Sequence, residues 1–469
     1  MNSIITENFL LSTDYAERLY HNYASKVPVI DYHNHLPPQE MAEDKKFSTI
    51  TEIWLKGDHY KHRAMRALGV NEKFITGNST DEEKFNAWAA CVPKTIRNPL
   101  FHWTHMELKT PFGINRYLNS ETGKDIYTRC NSMLREDSFS VKSLLTRFNV
   151  EMACTTDDPC SDLSAHKTIR AAKGFTKVLP GFRPDKVFNI ENKNTFLEYI
   201  SLLSDASGVK IHNITTLLEA LQNRVEYFHA QGCVTADHGL TTVPQNFDFS
   251  IHLENEFERY LENKSTVSFS DPDRYRGYIL SSVCKMYHKK QWIQQFHIGA
   301  IRNNNTRFYT ALGADAGFDS IGDFKHAEKL NAFLNELDKT NELAKTVIYN
   351  SNPADNEVFA TVAGNFNDGT VQGKVQYGPG WWFLDQLDGM EKQLNTLSNL
   401  GLISTFIGMV TDSRSFLSFP RHEYFRRLLC NILGNEMNKG MLPNDEAWIG
   451  KIVQDICYNN AKEYFNIPS

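Results

Sequence analysis

Two histidines separated by one residue, His33 and His35, follow directly on an apolar, β-branched run at 27–31 in the segment Asp31-Tyr32-His33-Asn34-His35. Side chains two apart on a strand point the same way, so both imidazoles can be presented to one point, the bite a divalent cation needs. A carboxylate closes another such run near the far end of the chain, in Thr411-Asp412-Ser413-Arg414. If the first and last strands of a closed barrel are neighbours, Asp412 reaches the cation held by His33 and His35. Three ligands with vacant positions make a catalytic metal site rather than a structural one. The other reading of Asp412, a helix N-cap, fits poorly because the next helical stretch begins only after Pro420. Arg414 points in a similar direction to Asp412 and its planar fork could grip a carboxylate.

Other polar groups fall just past apolar runs. His297 ends Gln295-Phe296-His297, ahead of Ile301-Arg302-Asn303, and is expected to be a further metal ligand or a partner to a substrate oxygen. Asp237 ends the run at 233–237, and Arg183 follows the run at 176–179 as a second candidate anion clamp. Gly57-Asp58-His59-Tyr60 sets an imidazole and a phenol side by side at a loop-to-helix start, where they could fold over a site as proton-transfer groups. His102 and His105, three apart on a predicted helix, suit core packing. The sequence has no Walker loop and no dinucleotide fingerprint, so no phosphate-bearing cofactor is indicated.

Elements that could position these groups recur in order. Eight short apolar runs, at 27–31, 150–155, 176–179, 233–237, 292–297, 346–350, 374–377 and 405–411, are separated by helical periodicity, with helices predicted at 165–173, 215–230 and 389–400. Strand–helix alternation of this count predicts a (β/α)8 barrel, in which chemistry sits at the C-terminal ends of the strands. An open doubly wound sheet is the competing fold. More than a hundred residues separate the first two runs, far beyond the dozen or so a crossover helix needs. The predicted organisation is therefore an N-terminal segment and first strand (1–35), a helical insertion over the mouth (36–149), and the rest of the barrel (150–469). Within the insertion, helices are expected at 50–56, 60–68, 81–91 and 126–136.

A chain of 469 residues with 41% hydrophobic and 23% charged residues can bury a large core, which excludes disorder, collagen and coiled coil. The net charge of −6 comes from interspersed acids and bases, so no basic field is available to hold nucleic acid or an anionic membrane. A small-molecule substrate is the better partner, and a homo-oligomer stays open. Eight scattered cysteines without a Cys-x-x-Cys pair are expected to be reduced thiols. No lysine or arginine precedes the short run Phe9-Leu10-Leu11, and no apolar stretch approaches the ~20 residues of a membrane span. A cytoplasmic protein is expected.

Together the motifs resemble those of the uronate isomerase (glucuronate isomerase) family. The resemblance is carried by Asp31-Tyr32-His33-Asn34-His35-Leu36, Gly57-Asp58-His59-Tyr60, Leu179-Pro180-Gly181-Phe182-Arg183-Pro184, Phe296-His297-Ile298-Gly299-Ala300-Ile301-Arg302-Asn303-Asn304-Asn305 and Gly408-Met409-Val410-Thr411-Asp412-Ser413-Arg414-Ser415-Phe416-Leu417. The likeness runs in order along nearly the whole chain. It implies a distorted (β/α)8 barrel of the metal-dependent amidohydrolase superfamily. It also implies interconversion of D-glucuronate with D-fructuronate, and of D-galacturonate with D-tagaturonate, in bacterial hexuronate breakdown. On that likeness His33, His35 and Asp412 hold one divalent metal, commonly zinc, with manganese the alternative. His59, Tyr60, Arg183, Asp237, His297 and Arg414 line the substrate site, with Arg302 beside them. Asp412, Tyr60, His59, a second histidine such as His297, or metal-bound water could move protons, and spacing does not rank them. The same site could activate water in an amidohydrolase or lactonase acting on a sugar-acid derivative, but two candidate anion clamps favour a sugar acid as substrate.

Overall fold

A computed structural model describes residues 4–172, 174–262 and 268–467. Seven of the eight predicted runs form strands of a parallel barrel wall. They are β1 (Val29–Asp31), β2 (Val150–Cys154), β3 (Lys177–Leu179) with its continuation β4 (Gly181–Phe182), β5 (Thr235–Leu240), β6 (Ile293–Ile298), β9 (Thr346–Asn350) and β10 (Val375–Tyr377). A two-residue antiparallel pair, β7 (Ala300–Ile301) with β8 (Ser320–Ile321), lies between β6 and β9. The wall falls into two ladders, β1-β2-β3 and β4-β5-β6-β9-β10.

The break between the ladders lies just past the third run, at Pro180 between β3 and β4, which has no N–H to give a ladder. Backbone of Asp157 bridges the two parts: its N–H donates to the Gly181 carbonyl (2.8 Å), and its carbonyl accepts from the Arg183 N–H (2.9 Å). Gly181 is required there, because a Cβ would sit 2.4 Å from the Thr155 carbonyl oxygen.

The eighth run departs from expectation. Residues 405–411 form no ladder strand; Ile403–Thr405 is a 3-10 turn and the segment beyond it is extended without regular pairing. Gly408 (φ +76°) and Asp412 (φ +46°) take left-handed backbone, which interrupts a strand. The segment still closes the barrel. Asp412 N–H donates to the His33 carbonyl (3.3 Å) and His35 N–H to the Ser413 carbonyl (3.0 Å), while Gln376 Nε2 donates to the Thr405 carbonyl (3.1 Å) on the other side. The architecture is thus a distorted (β/α)8 barrel with an irregular eighth stave.

Helices pack their apolar faces on the outside of the wall. The helix Ile214–Ala230 buries Leu217, Leu221, Val225 and Phe228, a spacing that makes one stripe. Its start is fixed by a capping box from Asn213, and the left-handed Gly232 follows its end. The helix expected at 165–173 runs Ser164–Ala171; Lys173 lies outside the described residues. Helices also fill the long stretch between β1 and β2, among them Ile50–Trp54, His59–Ala67, Asp81–Cys91, Pro99–Phe112 and Gly123–Leu134. His102 and His105 belong to this packing: His102 Nδ1 lies 3.0 Å from the Tyr424 hydroxyl, and His105 Nδ1 lies 2.6 Å from the Phe101 carbonyl.

Candidate active site

Asp31, at the end of β1, organises the seam where the first and eighth staves meet. Fully buried, its carboxylate accepts from Thr411 N–H (2.7 Å), Thr411 Oγ1 (2.7 Å) and Asn34 Nδ2 (3.0 Å), and pairs with His422 Nε2 (3.2 Å). These bonds replace the missing ladder and deliver Asp412 to the two histidines. Asp412 Oδ1 lies 3.1 Å from both His33 Nε2 and His35 Nε2, and Oδ2 accepts from Trp381 Nε1 (3.0 Å). The left-handed backbone of Asp412, costly for a residue with a Cβ, is held by these contacts.

Behind this trio stands a second one. On β5 and β6, Asp237 Oδ1 pairs with His297 Nδ1 (2.7 Å), and Asp237 Oδ2 lies 3.9 Å from His33 Nδ1 and 3.0 Å from Arg183 Nη1. His297 stacks on Tyr349 (ring centroids 4.1 Å), whose hydroxyl donates to Gln295 Oε1 (2.6 Å) in the polar layer filling the barrel below. Among the described residues, two trios, His33-His35-Asp412 and His33-Asp237-His297, bring candidate ligand atoms within 4.8 Å of one another. His297 Nε2 is buried with no hydrogen-bond partner among the described residues, although its other ring nitrogen is fixed by Asp237. A buried, oriented and unsatisfied imidazole nitrogen beside two histidines and a carboxylate fits a divalent cation.

The two histidines of the first trio differ in electrostatics: against burial, Asp237 and Asp412 raise His33 above its ordinary value. Burial lowers His35 to about 4, outweighing Asp412, and so keeps it neutral as a metal ligand must be. Burial alone would raise the Asp412 and Asp237 carboxyls. The histidines around Asp412 hold it well below the usual carboxylate range, and Arg183, His297 and His33 do the same for Asp237. Both are acceptor-only anions at neutral pH.

The helix His59–Ala67 is capped by Asp58, whose side chain accepts from Lys61 N–H (3.0 Å). That cap sets His59 and Tyr60 at the first turn, facing the strand ends, with their rings 4.9 Å apart. Burial lowers His59 to about 4, and nearby Arg414 adds to the effect. Burial raises the Tyr60 phenol well above its ordinary value, and the neighbouring Asp385 carboxylate raises it further. The Tyr60 hydroxyl donates to Asp385 Oδ2 (3.0 Å), and Asp385 itself, buried, is pushed up to about 6 against the pull of Arg421. At neutral pH His59 is therefore a free base and Tyr60 a proton-bearing donor.

A cavity of about 280 Å³ runs beside His35, His59, Tyr60, Asp412 and Arg414. It adjoins a chamber of about 30 Å³ bounded by His33, His297, Arg183 and Arg302. Arg414 packs on Gly57, where a Cβ would come within 3.4 Å of its side chain. All of the sequence-predicted site residues except Tyr60 and Asp237 line the small chamber; Tyr60 lines the larger cavity and Asp237 lies behind His33 and His297. Arg183 differs from a free clamp, since Asp237 and Asp185 (2.8 Å to Nε) already share its guanidinium. A larger cavity, about 580 Å³, is lined by Lys345, Lys374 and Tyr464 and includes none of the metal-ligand trios. Sequence reasoning passed over Asp31 as a hub, Trp381, Asp385, Arg421 and Asp315. Asp31 is marked in the sequence only by its place in the run before His33, and Trp381, on the loop after β10, by no local pattern.

The glucuronate isomerase family model matches residues 1–465. A uronate isomerase of Flavobacterium johnsoniae is 53% identical over 464 residues, covering 99% of both chains, and one of Cellvibrio japonicus is 49% identical over 465 residues, covering 99% of this chain and 98% of that one. The crystal structure of a Thermotoga maritima uronate isomerase superposes with a TM-score of 0.92 at 32% identity, covering 99% of this chain and all of the other. That of a glucuronate isomerase from Caulobacter crescentus, at 24% identity and TM-score 0.91 over 99% of this chain and 97% of that one, shares the fold. With a family model matched over nearly its full length and relatives about half identical across 99% of it, the chain belongs to the glucuronate isomerase family.

Proposed function

We propose that this protein is an aldose-ketose isomerase that converts D-glucuronate to D-fructuronate and D-galacturonate to D-tagaturonate. The observation that carries this reading is the meeting of one carboxylate and two imidazoles at the barrel closure, next to a neutral base, a phenol and two arginines. Full-length similarity to proteins named uronate isomerase supports the substrate class.

The reaction removes the C2 proton of the open-chain aldose. The C2–H electron pair becomes the C1–C2 double bond of an enediolate, a proton is returned to C1, and O2 loses its proton while O1 gains one. A divalent cation held by His33, His35 and Asp412, zinc in the first instance and manganese as the alternative, supplies Lewis acidity that stabilises charge on a substrate oxygen. Around it the chain's own groups divide the work. Arg302 and Arg414 bind the distal carboxylate and fix the sugar over the seam. Asp412, an anion at neutral pH, can accept the hydroxyl proton released on ring opening. His59 and Tyr60 face the same cavity, one able to take a proton and the other to give one. Asp385 holds the Tyr60 hydroxyl in a single orientation. Asp237 fixes the tautomer of His297, so that Nε2 faces the site.

Residues 36–149 act in this reading as a helical cap, with His59 and Tyr60 as its contribution to the site. Eight cysteines without a disulfide among the described residues fit a reducing compartment such as the cytoplasm. No helix among the described residues is long and apolar enough to cross a membrane.

Incubation of purified protein with D-glucuronate and D-galacturonate, beside a panel of amides and lactones, tests the reading. Formation of the two ketoses is the expected result. Hydrolysis of the amides or lactones without ketose formation would replace the isomerase with a hydrolase. Elemental analysis of the same preparation is expected to give close to one zinc or manganese per chain.

A further inference from the structure

Asp315 lies in the loop between the helix Thr306–Leu312 and β8, at the rim of the small chamber. Its carboxylate bridges two arginines: Oδ2 is 2.9 Å from Arg414 Nη2, and Oδ1 is 3.6 Å from Arg302 Nη1. These are the arginines assigned to the substrate carboxylate in the preceding reading, on which this inference rests. The three side chains are 47%, 32% and 39% exposed for Asp315, Arg414 and Arg302. Ion pairs this exposed are weak one by one, so a ligand that brings further contacts of its own can replace them. Asp237 shows the contrasting case, buried and locked to Arg183 and His297.

The loop itself is pinned. Arg63 Nη1 donates to the Asp319 carbonyl (2.8 Å), Arg66 donates to the Ala316 carbonyl, and Phe318 stacks on Phe308. Gly317 (φ +92°) approaches the His59 carbonyl so closely that a Cβ would lie 2.9 Å from it. With the backbone anchored to the helix that carries His59, rotation of the Asp315 side chain is the smallest movement that frees the arginines. A carboxylate held by both arginines needs that rotation, because the chamber that Arg302, Asp315 and Arg414 line together holds about 30 Å³, room for little more than a water molecule, beside the cavity of about 280 Å³.

We propose that Asp315 is an internal counter-ion for the carboxylate clamp: it occupies Arg302 and Arg414 until the carboxylate of a uronate takes its place. Because Asp315 is tethered, it competes at a high effective concentration, and a small free anion such as sulfate or phosphate cannot displace it readily. A uronate can, since its hydroxyls and carbonyl gain contacts at the seam in addition to those of its carboxylate. Asp315 would thereby raise the Michaelis constant for substrate while shielding the clamp from simple anions.

The test compares wild type with Asp315→Asn and Asp315→Glu, by steady-state kinetics with D-glucuronate and by thermal melts with and without sodium sulfate. The expected result for Asp315→Asn is a KM lowered about 5- to 20-fold, with a smaller change in kcat, and a sulfate-dependent rise in Tm that wild type lacks. Asp315→Glu, which keeps the charge, should return both readouts toward wild type. An unchanged or raised KM in an active Asp315→Asn protein would overturn the proposal, the raised value marking Asp315 as a support for the arginines. If no variant, nor wild type, converts D-glucuronate, the isomerase reading fails. The sulfate melts then decide on Asp315 separately: equal sulfate response in wild type and Asp315→Asn sinks the counter-ion role. If Asp315→Asn does not fold, Asp315→Ser serves the same comparison.

Discussion

The buried seam and the open rim of the site use the same chemistry, carboxylates against cations and imidazoles, to opposite ends. At the seam Asp31, His33, Asp237 and His297 have almost no exposure; Asp31 meets four donors, and Asp237 is hydrogen-bonded to His297 and ion-paired with Arg183. At the rim Arg302, Arg414 and Asp315 are a third to a half exposed and share only two ion pairs with one another. In a low-dielectric setting a charge must be fully paired or it destabilises the fold, so complete pairing gives fixed geometry. In water the same pair is weak, and weakness permits exchange with a ligand. Fixed ligands belong at the seam and exchangeable ones at the rim.

The most severe way to break the seam is Asp412→Asn. Loss of the anionic ligand removes several kcal/mol of transition-state stabilisation, and at about 1.36 kcal/mol per tenfold this predicts a fall in kcat/KM of about 10³-fold or more. Circular dichroism should be unchanged while metal content drops. Near-normal turnover in the folded variant would remove Asp412 from the mechanism. Next in size is Asp31→Ala, which strips one acceptor from four donors and leaves them buried. A loss of about 3–5 kcal/mol of stability is expected, measured by denaturant unfolding, together with weaker metal retention. Stability equal to wild type would show that the eighth stave does not depend on Asp31.

The rim should respond in binding rather than in folding. Arg414→Met removes a charge-assisted contact worth about 1.5–3 kcal/mol, so KM for D-glucuronate is expected to rise about 10- to 100-fold with no loss of Tm. A KM at the wild-type value would take Arg414 out of the clamp.

This division also explains what was legible in the sequence. Asp237 and His297 were found because they sit on regular strands, β5 and β6, where a two-residue period tells which side chains share a face, and His33 and His35 because they follow β1 by two and four residues, although the strand itself stops at Asp31. The eighth stave was placed correctly but misread as a strand, because its pairing comes from the Asp31 side chain and from left-handed Gly408 and Asp412, none of which alters hydrophobic periodicity. Trp381 and Asp385 reach the site from the loop after β10, and Arg421 from the start of the helix Pro420–Asn438. Their roles depend on packing between elements far apart in sequence, for which local patterns carry no signal. Asp315 was invisible for the same reason: only the folded loop sets it between two arginines.

Asp157 offers the subtlest test, since it shares the seam's burial but faces no arginine, and the imidazole beside it, His166 at 3.6 Å, is lowered by burial to about 4 and so is neutral over most of the range. Its carboxylate accepts from Thr155 Oγ1 (2.7 Å) and Gly181 N–H (3.3 Å), and burial pushes it up to about 6 although both contacts oppose the rise. Asp237, equally buried but facing Arg183, moves the other way. A folded-state value above the unfolded one, near 4, means that the native protein holds its proton where the unfolded chain has released it. Stability from this group is full below about pH 4, is lost as pH rises to about 6, and stays level above. The shift of about two units corresponds to at most about 3 kcal/mol. Asp157→Asn should therefore flatten the stability profile between pH 4 and 6, gaining on wild type as pH rises through that window. Parallel profiles for the two proteins would mean that Asp157 ionises without penalty, and that burial without a cation does not separate it from Asp237.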